Sequence, residues 1–73
     1  MLNKLYEMLN SKYDVEYYDE AIHLFFGEKD VHIWCENNED IEVYLYDDEV
    51  CDESKIFTNS YEAYSYIDNF LEN

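Results

Sequence analysis

The chain has 73 residues, of which nineteen are Asp or Glu, four are Lys and none is Arg, for a formal net charge of −15. That length fits one small domain, which buries only about 60% of its unfolded surface and has a thin stability margin. The charge argues against direct binding to nucleic acid or to anionic membranes, since both need Lys and Arg to displace counterions or meet headgroups.

High net charge is one half of the signature of disorder, and the other half is missing. Hydrophobic residues make up 48% of the chain and aromatics 19%, Pro is absent and Gly27 is the single glycine. Such a chain can collapse and pack. No apolar run reaches the roughly 18 residues of a membrane span. Met1 to Leu9 is broken by Lys4 and Glu7, unlike a signal peptide, so a cytoplasmic location is expected. Cys35 and Cys51 are too few for a disulfide framework, and reduced thiols are expected.

Met1 to Ser11 places Leu2, Leu5, Tyr6 and Leu9 at i, i+3, i+4 and i+7, the period of a helix with one buried stripe. From Tyr13 the period becomes two, as in a half-buried strand. Ala21 to Phe26 then sets Ile22, Leu24 and Phe26 against His23 and Phe25, and Gly27-Glu28-Lys29-Asp30 reads as a turn. Val31 to Glu36 and Ile41 to Tyr46 repeat the alternation, on either side of a polar turn at Asn37-Asn38-Glu39-Asp40. Asp47 to Glu53 is acidic and reads as a solvated loop or a poorly formed edge strand, and Lys55 to Phe57 as a short strand or connector. A last helix starts near Asn59 or Ser60, with Glu62 in capping-box spacing and Ala63, Ile67, Phe70 and Leu71 on one stripe.

Short connections favour an antiparallel meander, because parallel strands need long crossovers. The expected fold is therefore α+β: a small antiparallel sheet of three to four strands, with an N-terminal and a C-terminal helix packed on one face. The second face would carry His23, Phe25, His32, Trp34, Tyr44 and Tyr46 beside Glu36 and Glu42, an aromatic content unusual for an open sheet face. Tyr6, Tyr13, Tyr17 and Tyr64 are expected to fill the core, with Tyr18, Tyr44, Tyr46 and Tyr66 more exposed.

Chemistry finds little support. Surface carboxylates lack the burial that makes a general acid. The segment from Asp47 to Glu53 lacks the spacing and central glycine of an EF-hand. Phosphate-loop, serine-hydrolase and metalloprotease motifs are absent. A metal site of His23 and His32 with Glu36 is conceivable, but partly exposed sheet histidines are the preferred reading, so no metal and no cofactor is assigned.

In its acidity, its lack of Arg, its tyrosine content and its order of elements, the whole chain resembles small phage-encoded nucleic-acid mimics, namely anti-CRISPR proteins, anti-restriction proteins and uracil-DNA glycosylase inhibitors. The resemblance implies a non-enzymatic inhibitor acting in the host bacterial cytoplasm on a basic nucleic-acid-binding protein: a Cas effector above all, otherwise a nuclease or glycosylase. Carboxylates of Glu36, Asp40, Glu42, Asp47, Asp48, Glu49, Asp52 and Glu53 would replace phosphates, around a centre of Trp34, Tyr44 and Tyr46. Fifteen charges equal those on about 25 Å of duplex. The alternative is a small adaptor that docks through its aromatic sheet face. Mutual repulsion disfavours tight self-association, so a monomer or weak homodimer is expected.

Overall fold

A computed structural model describes residues 2–36 and 40–72. The elements run α1 (Leu2–Asn10), β1 (Val15–Tyr18), β2 (Ala21–Phe26), β3 (Lys29–Trp34), β4 (Ile41–Asp47), β5 (Val50–Phe57) and α2 (Ser60–Glu72). All strands join one antiparallel meander in the order β1-β2-β3-β4-β5. The sheet thus has five strands, where the sequence predicts three to four. Of the acidic stretch read as a solvated loop or a poorly formed edge strand, Asp47 ends β4, Asp48 and Glu49 form the turn, and Val50 to Glu53 open the eight-residue edge strand β5, whose residues up to Ile56 are all exposed.

Alternation fixes which side of each strand is dry. Ile22 and Leu24, Val31 and Ile33, and Ile41, Val43 and Leu45 face inward and are buried. Register pairs these residues with one another, Ile22 with Ile33 and Ile33 with Val43, so their side chains form continuous apolar rows. Both helices cover those rows, α1 lying over β1 and β2 and α2 over β4 and β5. Leu2, Leu5 and Leu9 come from α1 and Ala63, Ile67 and Leu71 from α2, at the helical spacing that carries them to one side. Each fully buried Leu or Ile contributes about 1.5–3 kcal/mol of transfer free energy.

Chain reversals follow local chemistry. Gly27 has φ of 66° and is the first central residue of the β2–β3 turn, where hairpins of the II′ kind take glycine. The turn is limited to Gly27 and Glu28, and Lys29 and Asp30 already belong to β3. At the β4–β5 turn Asp48 and Glu49 both have positive φ, 53° and 67°, the pattern of an I′ turn built without glycine. Asn59 caps α2, its Oδ1 accepting from the backbone N–H of Tyr61 at 2.8 Å and of Glu62 at 3.2 Å.

Tyrosine placement departs from expectation at Tyr17, which is more exposed than expected, and at Tyr44, Tyr46 and Tyr66, which are half-buried. Tyr13 is buried and Tyr6 and Tyr64 are half-buried, but Tyr17 is 37% exposed, because β1 is an edge strand that α1 covers only in part. Its ring stacks on Tyr6 and its hydroxyl donates to Asn3 at 2.9 Å. Tyr66 is half-buried beside Phe57, with its hydroxyl donating to Glu53 at 2.5 Å.

Candidate functional site

The sheet face opposite the helices is built by the same alternation that builds the core. In one row Trp34 of β3 lies between Ala21 and Glu42, and Glu42 is followed by Ile56 of β5. The next row runs Glu16, His23, His32, Tyr44, Ser54. A third joins Phe25, Asp30, Tyr46 and Cys51. Phe25, Trp34 and Ile56 stay about half exposed or more, at 51%, 46% and 60%. No helix rests on them, so this face presents exposed apolar side chains to solvent on either side of the half-buried row of His23, His32 and Tyr44.

Carboxylates on and around this face are held in place. The Tyr44 hydroxyl donates to Glu42 at 2.9 Å, and the Tyr18 hydroxyl to Glu16 at 2.7 Å, both between residues two apart on one strand. These hydrogen bonds to the carboxylates, and the nearby negative charge, raise both phenols above their ordinary pKa. A fixed carboxylate loses less rotamer freedom when a cation pairs with it.

At one end of the sheet the β2–β3 and β4–β5 turns meet, the Asp48 N–H donating to the Glu28 carbonyl at 3.0 Å. Phe25, Gly27, Glu28, Asp30, Asp48 and Glu49 line the shallow cleft between them. Asp47 ends β4 beside the same turn. Asp40 stands just before the opposite end of β4 and Glu36 just after β3, both exposed. The acidic groups at the two ends of β4 are therefore about 20 Å apart at the strand's rise per residue.

The basic residues show where charge has been neutralised. Each of the four lysines contacts α2. Lys4 sits over the Tyr61 ring, Lys12 pairs with Asp68 at 3.0 Å and Glu72 at 2.6 Å, Lys29 donates to the Phe70 carbonyl at 2.6 Å, and Lys55 lies 5.7 Å from the Tyr66 ring. Hydrogen bonds from Tyr13 and Lys12 hold the Asp68 carboxyl below its ordinary range. No lysine lies on the open face, whose acidic side chains include Glu16, Asp30 and Glu42.

The eleven residues that the sequence proposes for contact thus fall into separate groups. Trp34, Glu42, Tyr44 and Tyr46 share the open face. Asp47, Asp48 and Glu49 share the turn end, and Glu36 and Asp40 flank the opposite end. Asp52 lies at the irregularity where β4–β5 register shifts past Leu45 and Tyr46. Glu53 pairs with inward-facing Leu45 and accepts from Tyr66, so it stands on the helix side, apart from Trp34 and Tyr44.

Glu16, Phe25, Glu28, Asp30 and Ile56 belong to this surface and lie outside the eleven residues that the sequence proposes for contact. Asp30 and Glu28 were read as turn, although Lys29, Val31 and Ile33 alternating with Asp30, His32 and Trp34 already extend β3 back to Lys29. Ile56 was hidden by the absence of any alternation in β5. The histidines do lie together, His23 directly opposite His32, but the carboxylate beside them belongs to Asp30 and not to Glu36. Burial, with His23 alongside, lowers the His32 pKa against the opposing pull of Asp30.

Among the described residues no helix is long and apolar enough to cross a membrane. No protein-family model, curated protein or solved structure matches this chain.

Proposed function

We propose that this domain is a non-enzymatic inhibitor that occupies the basic nucleic-acid-binding surface of a defence effector, a CRISPR-Cas complex first among them. The observation that carries this reading is the segregation of charge. All four lysines are engaged with α2, where Lys12 forms its ion pairs with Asp68 and Glu72, while the open face carries carboxylates and no lysine. The molecule measures 30 × 23 × 20 Å, so its fifteen net charges along the long axis approach duplex density. Fixed Glu42 and Glu16 supply preorganised anions, and Trp34 and Tyr44 the desolvated contact that gives an interface its residence time.

Inhibition is tested by adding the protein to purified RNA-guided effectors, restriction nucleases and uracil-DNA glycosylase, and measuring both activity and binding of their nucleic acid. The reading requires that inhibition be relieved by excess nucleic acid and by salt. It also requires that Asp47→Lys, Asp48→Lys and Glu49→Lys together weaken inhibition by at least tenfold.

A second reading rests on the exposed aromatic surface. Phe25, Trp34 and Ile56 could carry an adaptor onto a partner that keeps its nucleic acid bound. Such binding would withstand salt and fall with Trp34→Ala.

A further inference from the structure

His23 and His32 are direct cross-strand partners on β2 and β3, with ring centroids 4.1 Å apart and planes inclined by 32°. Asp30 lies two residues before His32 on β3, hence on the same face, and diagonal to His23. One donor atom from each of the three lies within 4.8 Å of the other two, and all three residues are half-buried. The ring of Phe25 packs 4.2 Å from His23, and that of Tyr46 meets His32 edge-on at 5.0 Å.

One atom in this cluster stands out. Nε2 of His23 is buried and has no hydrogen-bond partner among the described residues. Buried polar atoms are almost always paired, and an exception points to something that binds there. An imidazole nitrogen beside a second imidazole and a carboxylate is suited to a metal ion.

We infer that His23, Asp30 and His32 form a binding site for a divalent transition metal, with Zn2+ the best-fitting ion. Donors around a tetrahedral zinc at about 2.0–2.2 Å are roughly 3.3–3.5 Å apart. Closing the observed separation to that value takes side-chain rotation alone, since directly paired strand residues already hold their Cβ atoms about 4.5–5.5 Å apart. Two imidazoles favour zinc, copper or nickel over magnesium and calcium, which prefer all-oxygen sites. Three protein ligands leave one position for water or for a donor from a bound partner.

The site is tested on the full chain alone, independently of any inhibited effector. Zn2+ is titrated calorimetrically in excess Mg2+, which occupies weak surface carboxylates, while side-chain 1H–15N spectra follow both imidazoles. The expected result is one equivalent bound with both rings perturbed. Binding should weaken at least tenfold in His23→Gln and in His32→Gln, less in Asp30→Asn, and not at all in Glu62→Gln on the far side of the molecule. Far-UV circular dichroism of the variants separates lost ligands from lost fold. No binding of Zn2+ above that of Mg2+, or Zn2+ binding that survives the folded double variant His23→Gln/His32→Gln, overturns the site.

Discussion

The two faces of the sheet are made by the same strands and have opposite chemistry. Under the helices Ile22, Ile33 and Val43 lie in a closed apolar row with almost no exposure. One residue along each strand, His23, His32 and Tyr44 form the corresponding row on the open side, with Trp34 and Glu42 beside them. An open face with no binding role usually carries Thr, Lys, Ser and Glu. Here lysine has been confined to the neighbourhood of α2, and the open face retains aromatics and acids. The inner face accounts for the fold, and the outer face is where function should be sought.

The contrast is broken most forcefully by truncation on either side. Leu5→Ala or Ile67→Ala removes a fully buried side chain and should cost about 2–5 kcal/mol in urea melts, enough to unfold a domain this small. Trp34→Ala, although larger, should cost less than about 1 kcal/mol, because half of the side chain is already in water. Comparable losses at both positions would mean that the outer aromatics belong to the fold.

Asn59→Ala removes the cap of α2 and should cost about 1 kcal/mol, read from the same melts. At the β4–β5 turn the effect should have the opposite sign. Asp48→Asn with Glu49→Gly relieves two non-glycine residues at positive φ and should stabilise the domain by about 1 kcal/mol. The native turn therefore keeps two carboxylates where the backbone favours Asn-Gly, consistent with a role for those charges in binding.

Smaller effects come from charge. Added salt should raise the melting temperature, since fifteen uncompensated charges repel one another in the compact state. A fall with salt would mean that the lysine contacts on α2 outweigh that repulsion. The pH response follows from Asp68 and Tyr13. Asp68 has a lowered folded pKa, so its stabilisation is present above the unfolded carboxylate value of about 4 and is lost as pH falls through the folded one. Tyr13 is raised by burial and by its bond to Asp68, so its contribution is present below about pH 10 and is lost only at higher pH. Burial lowers the His32 pKa, so stability should also decline as pH falls below the unfolded imidazole value of about 6.5; melting temperatures should vary little from pH 7 to 9, and Asp68→Asn should remove the part of the acid-limb decline that Asp68 causes.

Much of this architecture was legible in residue order. Apolar spacing in α1 and α2 and strict alternation in β2, β3 and β4 fix their identity, because each has one wet and one dry side. β5 lacked that signal for a physical reason: as an edge strand that α2 covers only in part it is exposed up to Ile56, leaving Phe57 alone in the core. Acidity in such a strand protects an unpaired edge from aggregation, and it also makes the strand read as a loop. Trp34, Glu42, Tyr44 and Tyr46 could be placed on one face from parity alone. Glu53 could not, because the register shift beside Asp52 reverses the parity that an unbroken strand would give it. Asp30 was missed because Gly27 makes a two-residue turn, returning the chain to the sheet sooner than a run of charged residues implies.

The most direct test of the account is capture from lysate of a bacterium carrying CRISPR and restriction systems, with the tagged domain as bait and elution by nucleic acid. The charge-mimicry reading predicts that a nucleic-acid-binding protein is retained at low salt and released by its own DNA or RNA. It further predicts that the protein is not retained by the triple variant Asp47→Lys/Asp48→Lys/Glu49→Lys. A partner that withstands salt and nucleic acid and binds the triple variant equally well would contradict it, and would assign recognition to Phe25, Trp34 and Ile56 instead.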